Sequence, residues 1–279
     1  MSPGKKPDNA RVKSLMQKAN GLDFYCEIRG SGPTIALIPS GEGDCGSFTK
    51  VADMLADEFT VFTLDMRYMS RSERPTHLEP ITEKDIASDI AGLLKTLDLA
   101  PASLYGCSSG GQCVLSMGVN YPEVCRNLMI HEAALPNAAH PDAFDKFLMA
   151  SIRDLTEKTG SRVAALSVMF RDMVGDPEAW ESVGTDYHTR INKNLEIWAD
   201  YMVGHVNHRA YSSEELSAMP PLVFSVGQLW TNPVVEINIE AARKANTEAV
   251  LLPCRHFPQV TIPDLLAKHI RENTKKHIR

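Results

Sequence analysis

Gly106-Cys107-Ser108-Ser109-Gly110 constrains this chain more than any other stretch. The apolar run Ala102-Ser103-Leu104-Tyr105 before it reads as a buried strand, and Gly111 through Val119 after it as a helix packed through small residues. A strand that turns this sharply into a helix needs glycine where backbones pass closely. Gly-x-Ser-x-Gly in that setting is a nucleophile elbow, a strained turn that lifts the serine hydroxyl out of the sheet. The turn also aims the first helix amides at the reacting atom, where negative charge would develop. Ser108 is therefore the candidate nucleophile.

A serine hydroxyl is a weak nucleophile near neutrality and needs a base, which needs an orienting acid. In the chain order nucleophile, acid, histidine, the histidine follows the last strand of the sheet. Thr247–Leu252 reads as that strand, and Pro253-Cys254-Arg255-His256-Phe257-Pro258 as the loop behind it. Of nine histidines, His256 is the candidate base. His269 and His277 are expected to be solvated among lysines, and His77, His140, His188, His205 and His208 to be surface or capping residues. The segment after the penultimate strand, Gln228 to Pro233, holds no carboxylate, whereas the strand Asn127–His131 runs straight into Glu132. A carboxylate at the edge of an apolar strand is costly without a partner, and His256 would be that partner. Glu236, on the following helix, is the alternative acid. His131 faces the other side of its strand and reads as a packed core residue.

Strand patterns at Leu22–Arg29, Thr34–Pro39 and Thr60–Leu64 precede the elbow, and Thr82 with Asp85 opens an amphipathic helix through Leu97. From Pro136 to about Met219 the strand rhythm stops, and helices are expected over 141–158, 160–174, 177–189 and 190–203. The fold class is α/β, a mostly parallel, doubly wound sheet. Residues 1–135 and 220–279 would form the core and residues 136–219 an inserted helical cap. Met149, Val168, Met169, Phe170, Met173, Trp198, Tyr201 and Met202 supply the cap with large, adaptable apolar surface suited to a flat hydrophobic ligand. Leu135, Trp230 and Phe257, at the edge of the sheet, join them as candidate pocket residues.

Composition sets the limits. A chain of 279 residues can bury one sizeable core with an insertion. A net charge of −6 disfavours nucleic acid and anionic membranes as partners. No apolar stretch approaches a membrane span, and the polar start, Met1 to Asp8, lacks a signal-peptide core. Six cysteines without paired spacing read as apolar fillers in a reducing, cytoplasmic setting, Cys107 among them. Neither a metal-ligand spacing nor a phosphate-binding glycine fingerprint is present, so no cofactor is expected. A homodimer is left open.

The segments Asp65–Ser72, Gly106–Gly110, His131-Glu132 and Leu251–Pro258 together resemble the fungal zearalenone lactonases, and the likeness extends through Glu178–Trp180 and Lys193–Trp198. The resemblance implies the α/β-hydrolase fold and the opening of the macrocyclic ester of a resorcylic acid lactone. It implies a Ser108, Glu132, His256 triad, an oxyanion hole at the amides of Gly41 and Ser109, and a pocket wall at Trp198. The sequence departs from the family pattern at Ser40, at Arg67-Tyr68, and in the proline-free stretch after Tyr201. A hydrophobic lactone or ester is thus the expected partner. A carboxylesterase for other hydrophobic esters and a slowly turning ligand receptor are the alternatives. Epoxide and haloalkane hydrolases need an aspartate where Ser108 stands.

Overall fold

Strands buried on both faces hold only when helices cover both sides of the sheet. Every residue of β3 (Thr34–Ile38) and β5 (Ala102–Cys107) is buried in the computed structural model, which describes residues 12–136, 143–202, 205 and 209–278. Met1 to Asp8, His140 and His208 lie outside the described residues. The chain opens with β1 (Lys13–Ala19) and β2 (Leu22–Arg29), then runs β3, α1 (Thr49–Leu55), β4 (Thr60–Leu64), α2 (Glu83–Thr96), β5, α3 (Ser109–Asn120) and β6 (Cys125–His131). A helical insertion follows: α4 (Ala143–Thr159), α5 (Arg162–Val174), α6 (Pro177–Glu181), α7 (Thr185–Ile197), a π-helical turn at Trp198–Met202, and α8 (Ser213–Ala218). The sheet resumes with β7 (Leu222–Gly227), and α9 (Pro233–Lys244), β8 (Val250–Leu252), α10 (Pro258–Thr261) and α11 (Pro263–Lys275) complete the chain.

The strand order is β1-β2-β4-β3-β5-β6-β7-β8. The β1/β2 and β2/β4 pairs are antiparallel and every pair from β4 onward is parallel. The C-terminal ends of β3, β5, β6, β7 and β8 therefore share one edge, where ligands of open α/β sheets bind. Helix α2 starts where the sequence places it. The Asp85 amide donates to the Thr82 hydroxyl at 3.3 Å, and the Asp85 carboxylate accepts from the Thr82 amide at 2.9 Å. Its buried face carries Ile86, Ile90, Leu93 and Leu94.

Four points of the sequence reading need correction. β1 was not anticipated, because most of its side chains are exposed at the sheet edge and the hydrophobic alternation is faint. The available signal is Asn20-Gly21, at φ 48° and 83°, a turn that matches the twist of a hairpin. The final strand is shorter than Thr247–Leu252, and the expected helix boundary near residue 190 moves back to Gly184, whose φ of 105° separates α6 from α7. His269 is not solvated: it is buried on the inner face of α11, and burial pushes its imidazole down to about 4. The six cysteines are free and buried. Among the described residues no helix is long and apolar enough to cross a membrane.

The capping box gives a local test of the fold. Thr82→Ala should destabilise the protein by about 1 kcal/mol, read as a lower denaturant midpoint at unchanged slope.

Candidate active site

The elbow is built by close approach. A methyl on Gly106 would strike the Gly110 carbonyl, and one on Gly110 would strike the carbonyls of Ile38 and Pro39. With both positions held to glycine, β5 turns directly into α3 and Ser108 is left at φ 55°, ψ −124°, a conformation L-residues rarely adopt. Its backbone is fixed there: the Ser108 amide donates to the His131 carbonyl at 2.9 Å, and its carbonyl accepts from Gln112 at 3.1 Å and Ala134 at 3.1 Å.

Glu132 follows directly on β6 at φ 42° and is fully buried. Its Oε1 accepts from the Gly227 amide at 2.7 Å and from the Trp230 indole at 3.1 Å, while Oε2 accepts from His256 Nδ1 at 2.6 Å. Burial drives this carboxyl upward, but the hydrogen bond and charge of His256, with the Gly227 amide, outweigh it and hold the group below its ordinary value. The carboxylate is therefore ionised and Nδ1 of His256 carries the proton. Nε2 is then the ring nitrogen available to the cavity above. The histidine loop is tied down by its own amide, which donates to Met173 at 3.1 Å, and by the Cys107 thiol, which donates to the His256 carbonyl at 3.2 Å. His131 points away toward Ser225, 3.0 Å from its hydroxyl, and burial pushes its imidazole down to about 4.

Ser108 and His256 open onto one cavity. Gly41 and Ser109 border it beside Ser108, one from the loop after β3 and the other from the first turn of α3. Phe170, Met173 and Trp198 of the helical insertion wall it from above. Trp198 meets Phe170 edge-on at 5.2 Å, and Phe170 stacks on Phe257 at 5.8 Å. Trp230 and Phe257 also line this space. Glu132 lies behind His256, outside the lining.

Other sequence candidates lie elsewhere. Met169 borders an adjoining groove between α4 and α5. Leu135 lines a separate cleft with Tyr211 and Ile237. Tyr201 borders neither space, and its carbonyl accepts from the Ile81 amide at 2.7 Å. Met149 and Val168, two of the apolar cap residues singled out in the sequence, are 41% and 45% exposed because each falls on the outer side of its helix. Glu236 is exposed in the first turn of α9. Sequence reasoning missed Asn232 and Val234, which reach the cavity from the start of α9, and the indole donor of Trp230 to Glu132. No local pattern marks them, since only the β7–α9 crossing brings them there. Among the described residues no group of three or more His, Cys, Asp or Glu side chains is placed to hold a metal ion.

The loop after β3 carries its own buried acids. Arg190 grips Asp44 with Nε at 2.5 Å and Nη2 at 3.0 Å. Burial opposes ionisation of Asp44, yet Arg190 and the hydrogen bonds around it hold the group below its ordinary value. Glu42, one residue past Gly41, accepts only weak support from the Ser47 hydroxyl at 3.1 Å, and burial pushes its carboxyl up to about 7.

A parallel sheet with an elbow after β5 and a buried acid and histidine at its C-terminal edge defines an α/β hydrolase, and the α/β hydrolase fold model matches residues 33–166. Within that class the chain is 34% identical over 273 residues to a zearalenone hydrolase from Bionectria ochroleuca, with 96% of this chain and 100% of the relative covered. It is 33% identical to a zearalenone hydrolase from Cladophialophora bantiana over 96% and 98% of the two chains. The chain belongs to the zearalenone hydrolase family. Solved structures share the fold at lower identity: a thermophilic esterase from Thermogutta terrifontis has a TM-score of 0.72 at 19% identity, covering 96% of this chain and 100% of that one. An enol-lactonase from Burkholderia xenovorans has a TM-score of 0.66 at 18% identity, covering 94% and 100%.

Glu42 makes stability depend on pH. Its folded value of about 7 lies above that of an exposed glutamate, so ionising it costs folding free energy. The cost is absent in acid, accumulates as pH rises through the window up to about 7, and is constant above it. Its full size is on the order of 3 kcal/mol. Glu42→Gln should gain stability relative to wild type between pH 4 and pH 8. Denaturation midpoints that run parallel across that range for the two proteins would contradict the assignment.

Proposed function

We propose that this protein is a serine hydrolase that opens hydrophobic macrocyclic lactones, with Ser108 as nucleophile, His256 as base and Glu132 as orienting acid. The observation that carries the reading is the 2.6 Å hydrogen bond between buried Glu132 and His256, directly behind a cavity that His256 shares with Ser108. Ser108 Oγ attacks the ester carbonyl as its proton passes to His256 Nε2. The oxyanion of the tetrahedral intermediate lies between the amides of Gly41 and Ser109. Collapse breaks the ring C–O bond, and His256 returns the proton to the departing alkoxide. In a lactone that alcohol stays tethered to the acyl chain, so ring opening yields an acyl-enzyme carrying its own leaving group. Water, activated by His256, then attacks the acyl carbon, releases the hydroxy acid and restores Ser108.

The substrate reading rests on two supports. The relatives from Bionectria ochroleuca and Cladophialophora bantiana are zearalenone hydrolases. The cavity walls are aromatic and aliphatic, with Trp198, Phe170 and Phe257 offering flat faces to an aromatic ring fused to a macrocycle. Residues 136–219 act as a cap over a hydrolase core of residues 1–135 and 220–279. Six buried thiols fit a reducing, cytoplasmic compartment.

Incubation with zearalenone, followed by chromatography with mass detection, should show repeated turnover to the ring-opened acid. A single burst without a second cycle would instead indicate a ligand receptor. Ser108→Ala and His256→Ala should each lower kcat by about 10⁶, and Glu132→Gln, which keeps the shape and removes the charge, by about 10⁴. A Glu132→Gln enzyme within about threefold of wild type would remove Glu132 from the mechanism and direct attention to Glu236.

A further inference from the structure

One helix of the insertion, α7 with the turn that ends it, touches the loop after β3 at three successive turns. Arg190, Asn194 and Trp198 are four residues apart and share one face. Arg190 holds the Asp44 carboxylate. Asn194 Nδ2 donates to the Glu42 carbonyl at 2.8 Å and to the Ser70 hydroxyl at 2.7 Å, and Asn194 Oδ1 accepts from the Ser70 amide at 2.8 Å and from Arg74 at 3.2 Å. The Trp198 indole packs so closely on Gly41 that a methyl there would overlap it. The helix thus meets the loop at Asp44, Glu42 and Gly41 in turn.

Asn194 is completely buried, and its amide uses both donors and both acceptor sites. What it holds is one end of a peptide unit. The other end of that unit, the Gly43 amide, donates to the Ser40 carbonyl at 3.0 Å and closes a turn with Gly41 and Glu42 at its centre. The Glu42–Gly43 peptide is therefore pinned at its carbonyl by the insertion and at its amide by the end of β3. Gly41, without a side chain to anchor it, takes its orientation from that turn and from the indole above.

We propose that Asn194 is a positioning residue for ester hydrolysis: by holding the Glu42 carbonyl it fixes the Ser40–Gly43 turn and so the direction of the Gly41 amide toward the oxyanion. The proposal rests on the assignment of Ser108 as nucleophile and of the Gly41 amide as oxyanion donor. It makes the insertion part of the catalytic geometry as well as a wall of the cavity. Asn194 contacts neither the substrate nor the reacting atoms, and acts through the loop alone.

The variants are Asn194→Asp, which keeps size and the Ser70 contact but sets a carboxylate oxygen against the Glu42 carbonyl, and Asn194→Ala. Each is assayed with zearalenone per titrated active site. Each is also tested for inhibition by an aryl boronic acid, which forms a tetrahedral adduct on Ser108, and by the ring-opened product acid, which binds without an adduct. Loss of a full oxyanion donor costs about 10²- to 10³-fold in kcat, so a misdirected one should cost about 10- to 100-fold with KM within about threefold. Boronate affinity should fall in parallel while product-acid affinity holds. A role in packing alone would lower the melting temperature and leave kcat per active site and the ratio of the two inhibition constants unchanged, and that outcome overturns the proposal. If neither Asn194 variant folds, Asn194→Ser, a smaller polar side chain too short to reach the Glu42 carbonyl, decides the matter: the same split supports the proposal, and an unaltered kcat overturns it. Full activity in Ser108→Ala would refute the hydrolase assignment itself. An inactive Ser108→Ala beside a fully active Asn194→Asp refutes only the role of Asn194.

Discussion

A carboxylate sealed from water at the end of a strand must be satisfied completely or it destabilises the fold that contains it. Glu132 is satisfied by three donors that arrive from separate places: the amide that ends β7, an indole from the loop before α9, and an imidazole from the loop after β8. Each donor fixes the segment that bears it. The loops after three neighbouring strands are therefore drawn to one point, and the histidine is held with a single tautomer facing the cavity. Much of the order at the C-terminal edge of the sheet follows from that one buried charge.

Two glutamates near this edge behave in opposite ways because their surroundings differ. Glu132 has a full set of donors and stays ionised below its ordinary value despite burial. Glu42, in the turn beside Gly41, is pushed up to about 7 chiefly by burial, with Asp44 adding to the effect. Like groups in different surroundings thus ionise in different pH ranges. The neighbouring Asp44 keeps its charge because Arg190 of the insertion comes down to meet it.

In an open parallel sheet of this kind ligands bind at the carboxyl ends of the strands, and the cavity that Ser108 and His256 share lies at that edge. The helical insertion ties itself to that edge through polar contacts, and presents aromatic rings to the cavity. A mostly apolar chamber with a few polar groups, among them Ser108, His256 and Asn232, suits a hydrophobic ligand that carries a reactive polar bond.

The fold class and the proposed triad were legible in the chain because each rests on local chemistry. Glycines flank a serine between a strand and a helix, a carboxylate ends an apolar strand, and a histidine follows the last strand pattern. Capping of α2 by Thr82 and Asp85 was legible for the same reason. What lay beyond the sequence depends on segments far apart in the chain. The edge strand β1 lacks a buried face to impose a period, and the burial of His269 comes from the packing of α11 against the core. Which apolar residues of the insertion face inward also required tertiary structure, because helical spacing assigns a shared face but not its direction. Met149 and Val168 turned outward while Phe170, Met173 and Trp198 turned in. The sequence marked the candidate reacting groups through a turn and strand ends, each of which is read within a short stretch of chain. Only the tertiary structure decided how α7 grips the loop after β3, because hydrogen bonds across more than a hundred residues leave no local pattern.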